Sequence, residues 1–153
     1  MATRSFNFRL ERVRSIRESI EDQAREEFAQ SLALRLRGEG MLRAAEAELE
    51  AARQARRATG SAIPASGLDL ISAQAYVEQA QMRRESRMLD LDRFDAEVDH
   101  RREALTRASQ DRQALERLKD KQRNEHEVEV QRIDAIALDE MALNMHRRGQ
   151  EAA

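Results

Sequence analysis

The residues of this chain that could do chemistry are three histidines, many paired carboxylates and one glycine couplet. His100, His126 and His146 stand far apart in sequence. A zinc site on a helix needs two ligands about one turn apart, and a nucleophilic site needs a serine or cysteine beside a base. Neither arrangement occurs, so the histidines read as surface residues. Carboxylates crowd together in "AEAELE" (residues 45–50), but acid–base work requires a cleft that desolvates one of them and moves its pKa. The couplet "RGEG", with Gly38 and Gly40, lacks the third glycine and the preceding strand of a phosphate-cradling loop; it reads as a kink or stutter in a helix. With no cysteine there is neither thiolate nor disulfide. The expectation is a non-enzyme without cofactor or metal.

The elements that would carry these residues follow from composition and periodicity. Of 153 residues, 37% are charged and only 3% aromatic, too little material for a deep globular core. Acids and bases number 29 and 27 and alternate along the whole length, as on a solvated helix surface. Nucleic-acid binding would need a basic stripe free of acids. There is no apolar run long enough to span a bilayer and no secretory-type apolar stretch near the start. A cytoplasmic protein without direct membrane insertion is expected.

Apolar residues recur three or four apart in two blocks. The first holds Leu10, Val13, Ile16, Ile20, Ala24, Phe28 and Leu32, then Leu42, Ala45, Leu49 and Ala52; the second holds Val77, Ala80, Leu91, Phe94, Val98, Leu105, Ala108, Leu115 and Leu118. Two of the five glycines and the only proline fall between the blocks, in "TGSAIPASG" (residues 59–67). Gly60 could end the first helix in the left-handed conformation, Pro64 could not continue it, and Ser66 or Asp69 could cap the next. The expected fold is therefore all-α: one long antiparallel two-helix coiled-coil hairpin forming a single domain over 1–153, with helices over about 6–58 and 70–148, and the second the longer. At ~1.5 Å per residue the first arm would run roughly 80 Å. Arg84, Arg87, Arg101 and Arg112 fall at seam positions, where only their stems would help a small core, so stability is expected to be modest.

A turn centred near residue 63 pairs position i with about 127 minus i, so the first arm ends near residue 121. Residues 119–127, "KDKQRNEHE", contain no apolar side chain, which fits a helix surrounded by water. Hydrophobicity then returns in Val128, Val130, Ile133, Ile136, Ala137, Met141, Leu143 and Met145. This stretch has no intramolecular partner left. It docks on another protein, or it dimerises, folds back or frays. Phe6 and Phe8 lie at the same end and would widen its apolar surface.

Four segments, "FNFRLERVRSIRE", "LISAQAYVEQ", "RQALERLKDKQRNEHE" and "DEMALNMHRR", resemble in order and spacing the FliJ family of flagellar export proteins, over nearly the whole chain. The phenylalanine-x-phenylalanine start and the leucine-lysine-x-lysine-glutamine segment favour this family over its injectisome counterpart. The resemblance implies a non-catalytic coiled coil, similar to the stalk of rotary ATPases, that inserts its terminal end into the ring of the flagellar export ATPase, promotes ring assembly and activity, and links the ring to the membrane export gate. Some members also handle export chaperones. Carried over, the ring-facing residues would be Phe6, Phe8, Leu10, Val13, Ile133, Ile136, Met141 and Leu143. The gate-facing residues would be Tyr76, Ala80, Arg83 and Arg87, although the two arginines depart from the family's smaller or less basic residues and Tyr76 could equally be a core contact. The resemblance also places the protein at the cytoplasmic face of the inner membrane. The competing reading is a structural coiled-coil adaptor that homodimerises through its terminal stripe.

Overall fold

The computed structural model describes residues 5–64 and 66–151. Among them there are two helices and no strand: α1 spans Glu11–Ser61 and α2 spans Gly67–Glu151, packed against each other as a hairpin with the second helix the longer. Two compact units are distinguishable, a terminal unit of Met1–Glu21 with Ala108–Ala153 and a turn unit of Asp22–Arg107.

Both helices carry an unbroken seam with alternating steps of three and four residues, the heptad pattern that keeps one stripe facing a partner. It starts at Leu10, just before α1, and runs along α1 through Arg14, Arg17, Glu21, Ala24, Phe28, Ser31, Arg35, Gly38, Leu42, Ala45, Leu49 and Ala52, and none of these is exposed. On α2 the stripe from Leu70 through Val77, Ala80, Phe94, Val98, Ala108, Arg112 and Lys119 to His126 behaves in the same way. The observed stripe differs from the one suggested by apolar residues alone. Val13, Ile16 and Ile20 lie beside it, 41%, 52% and 42% exposed, while Arg14, Arg17 and Glu21 take the seam positions. Leu118 likewise yields its expected place to Lys119.

"RGEG" produces no stutter, because the heptad keeps phase through Gly38 within a continuous helix. Gly38 is buried, and a methyl group there would lie 2.7 Å from Cδ2 of Phe94, whereas one on Gly40 would meet nothing. The first glycine is a hole for an aromatic ring.

In the turn unit the core cluster is Leu49, Ala52, Val77 and Ala80. Small side chains let the backbones approach, but they bury little apolar area. Ionic contacts between the helices add to this cluster: Arg101–Glu27 at 2.6 Å, Arg84–Glu46 at 3.7 Å, Arg35–Asp95 and Arg83–Glu48. The seam arginines thus do more than cover apolar surface with their stems. Arg101 and Arg84 reach carboxylates of α1, and Arg87 reaches Asp90 on its own helix at 3.4 Å.

The turn departs from expectation in two ways. No described glycine has positive φ, and α1 runs through Gly60 to Ser61. Its last turn is closed by hydroxyls donating back to carbonyls, Thr59 to Ala55 at 3.0 Å and Ser61 to Arg57 at 2.9 Å. Pro64, after a cis Ile63–Pro64 bond, cannot continue the helix. Ser66 starts α2: its side-chain oxygen accepts from the Asp69 amide at 3.4 Å and its carbonyl from the Leu70 amide at 3.1 Å. α1 ends later and α2 starts earlier than periodicity implies, and separately partners sit a few positions further along α2 than expected. Glu48, for example, meets Arg83.

Candidate partner-docking surfaces

The terminal unit begins with residues 5–10, which are not helical; the α1 helix begins at Glu11, with the Glu11 amide donating to the Phe8 carbonyl at 3.0 Å and the Arg14 amide to the Leu10 carbonyl at 2.9 Å. The Phe6 ring lies 5.7 Å from that of His126, tilted by 56°. Phe8 is 4% exposed and belongs to the core. Residues 119–127 are therefore not surrounded by water on every side: Lys119, Gln122 and His126 are half-buried, and Lys119 donates to Glu11 at 2.8 Å. Of the three histidines, His126 is a packing residue, while His100 and His146 are exposed.

Charge replaces hydrophobe at this end of the seam. Arg14 reaches Glu11 at 2.7 Å and Glu116 at 3.0 Å, Arg17 reaches Asp111 at 3.0 Å, and Arg112 bonds Glu21, which is only 5% exposed. Glu11, hydrogen-bonded first by Arg14 and then by Lys119, has its pKa lowered to about 2. The charged forms of Arg14 and Arg112 are favoured by hydrogen bonds to Glu11 and to Glu21 respectively. This network fixes α1 beside α2 as far as residues 119–126.

Beyond it, among the described residues, α2 continues with nothing against it. From Gln131 to Gln150 every residue except Ala137 is exposed. Ile133 is 37% exposed, Ile136 45%, Met141 49% and Leu143 59%, with Val128, Leu138 and Met145 more open still. These side chains occupy several faces of the helix at 100° per residue, not one stripe. A helix apolar on several sides is suited to a surrounding partner. The eight residues assigned to this end are thus divided: Phe8 is core, Phe6 and Leu10 are half-buried, Val13 is 41% exposed, and the four on α2 are open.

In the turn unit, Tyr76, Ala80, Arg83 and Arg87 do share one side of α2 but differ in access. Ala80 is 1% exposed, inside the core cluster, whereas Tyr76 is 44% exposed. Tyr76 donates to Glu48 at 3.3 Å and Arg83 bonds the same carboxylate. Arg83 and Arg87 line a shallow groove with Met41, Ala44, Ala45 and Glu48. The α1 side of this groove is not legible in the sequence, because Glu48 is indistinguishable by type from its acidic neighbours.

A family model described as the flagellar FliJ protein matches residues 6–151. The chain belongs to the FliJ family. No curated protein and no solved structure matches it. FliJ membership makes it a component of the flagellar protein-export apparatus, structural and non-catalytic in kind, and a coiled-coil protein. Among the described residues no group of three histidine or acidic side chains is placed to hold a metal ion, and no helix is long and apolar enough to cross a membrane.

Proposed function

We propose that this FliJ protein is the stalk of the flagellar export ATPase: the end of α2 from Val128 onward enters the ATPase ring, and Phe6, Leu10 and Val13 contribute at its entrance. The observation that carries the reading is the exposure of Ile133, Ile136, Met141 and Leu143 on α2 beyond the stretch that α1 and residues 5–10 pack against. Phe8 acts indirectly, by holding residues 5–10 against α2. A non-catalytic insert alters a ring only by contacting one subunit conformation better than another, which couples sites around the ring. Alternating charge suits contacts that form and release, and these weaken with salt. The gate-facing surface is the groove edge of Tyr76, Arg83 and Arg87 together with Glu48, while Ala80 supports it from beneath. Export chaperones and the cytoplasmic face of the inner membrane complete the setting.

The test is hydrolysis by the purified export ATPase with the full chain and with a chain lacking residues 128–153. Stimulation by the first and not by the second supports ring insertion. Equal stimulation by both refutes a docking role for the segment. A stable dimer at micromolar concentration that is lost on deletion would favour the homodimeric adaptor.

A further inference from the structure

The turn carries a second exposed apolar group, unrelated to the end of α2. Ile63 is 98% exposed, Leu68 77% and Ile71 70%. Leu68 and Ile71, three apart on α2, share a face, and Asp69 lies on another. Behind them, Arg53, Arg56 and Arg57 stand at i, i+3 and i+4 on one face of α1. Arg57 is paired with Glu50 at 2.9 Å, while Arg53 and Arg56 form no ion pair among the described residues. Between Ala51 and Val77 the chain has these three arginines and a single acid, Asp69, in a protein whose charges otherwise alternate. Arg56 also lines one open depression with Leu70, Ile71, Gln74, Ala75 and Glu78.

We propose that the hairpin turn binds an anionic lipid surface, with Ile63, Leu68 and Ile71 entering the acyl boundary and Arg53 and Arg56 facing phosphates. At ~1.5 Å per residue, Arg57 and Arg56 lie roughly 6–8 Å and Arg53 roughly 12 Å behind the end of α1. These depths match a headgroup layer above shallowly buried aliphatics. Ile63 and Leu68 project into open solvent, 98% and 77% exposed, and aliphatics so placed enter a fluid layer better than they fill a protein pocket. The lack of a bilayer-spanning apolar run argues against insertion across the membrane, but interfacial binding needs no such run.

The chain contains no tryptophan, so Ile63→Trp reports on the turn alone. The experiment is flotation of the full chain with vesicles of phosphatidylcholine, with or without about one-third phosphatidylglycerol, combined with emission of Ile63→Trp. Selective binding to anionic vesicles with a blue shift is expected, and it should weaken in salt. Arg53→Ala/Arg56→Ala should lose roughly 25-fold in partitioning, about five-fold per arginine. Ile63→Ser/Leu68→Ser/Ile71→Ser, at positions too exposed to unfold the hairpin, should lose binding by roughly ten-fold per side chain. Both variants should still stimulate the ATPase, which separates this proposal from the stalk reading. Absence of vesicle binding, equal binding to neutral vesicles, or binding without a blue shift of the introduced indole would overturn the proposal; the first would leave an acidic protein surface as the partner.

Discussion

Gly38 and Gly40 stand two residues apart in the same helix, yet alanine should act on them in opposite directions. Replacing a helical glycine by alanine favours the helix by about 1 kcal/mol. At Gly40 that gain is unopposed, since the new methyl group meets no atom within 4 Å. At Gly38 the methyl group would come to 2.7 Å and 3.0 Å from two ring atoms of Phe94, with a Leu91 methyl at 3.5 Å behind them. The ring must move out of a seam in which the facing helix gives it little room, and overpacking of this kind costs about 1–3 kcal/mol. Gly40→Ala should therefore stabilise the protein by about 1 kcal/mol, and Gly38→Ala should leave it unchanged or destabilise it by up to about 2 kcal/mol. Because the propensity gain is common to both, the difference between the variants isolates the steric term. Urea unfolding followed by far-ultraviolet circular dichroism measures it, provided the slopes agree. In Gly38→Ala/Phe94→Leu the clash is gone, so the deficit of Gly38→Ala should not add to that of Phe94→Leu. If Gly38→Ala proved as stabilising as Gly40→Ala, the reading of Gly38 as a hole for Phe94 would be wrong.

Three further outcomes follow from the charged end of the seam and from the exposed helix. Arg112→Ala should destabilise by about 1–2 kcal/mol by removing one inter-helix partner of the buried Glu21 carboxylate, whereas Glu21→Leu/Arg112→Leu should fall within about 1 kcal/mol of the parent in the same urea assay. Glu11 has a folded pKa of about 2 against 4.5 ordinarily. A depressed carboxylate contributes stability above its unfolded value, and that contribution is lost as pH falls from about 4.5 through about 2. Hydrogen exchange should show amides of residues 11–17 losing protection across that window, and Glu11→Gln should remove this part of the pH dependence. Ile136→Ser/Leu143→Ser, at positions 45% and 59% exposed, should leave unfolding of the free protein within about 0.5 kcal/mol of the parent while abolishing ATPase stimulation.

The hairpin was legible in the sequence because its punctuation is local: one proline, two nearby serines and a helical period resumed on either side. The α2 end was legible for a similar reason, since apolar residues reappear after α1 has run out. The seam over residues 11–21 was not. Val13, Ile16 and Ile20 look like a core stripe by type, but the heptad phase is set by Phe28, Leu42, Ala45 and Leu49 further along α1 and carries Arg14, Arg17 and Glu21 inward. Glu116, Asp111 and Arg112 arrive from α2 to meet those charges, a pairing that one helix read alone does not reveal. Gly38 looked like a defect for the same reason: its partner, Phe94, lies on the other helix. The non-helical residues 5–10 escaped because Phe6, Leu10 and Val13 also satisfy a helical period.

The central claim, that α2 from Val128 onward is held within the export ATPase ring, is tested most directly by photocrosslinking from single positions in the presence of the ATPase. A reactive group at Ile136 or Leu143 should capture the ATPase, and one at the exposed His100 of the turn unit should not. Crosslinks from Ile136 and Leu143 only to a second copy of this chain would contradict the claim.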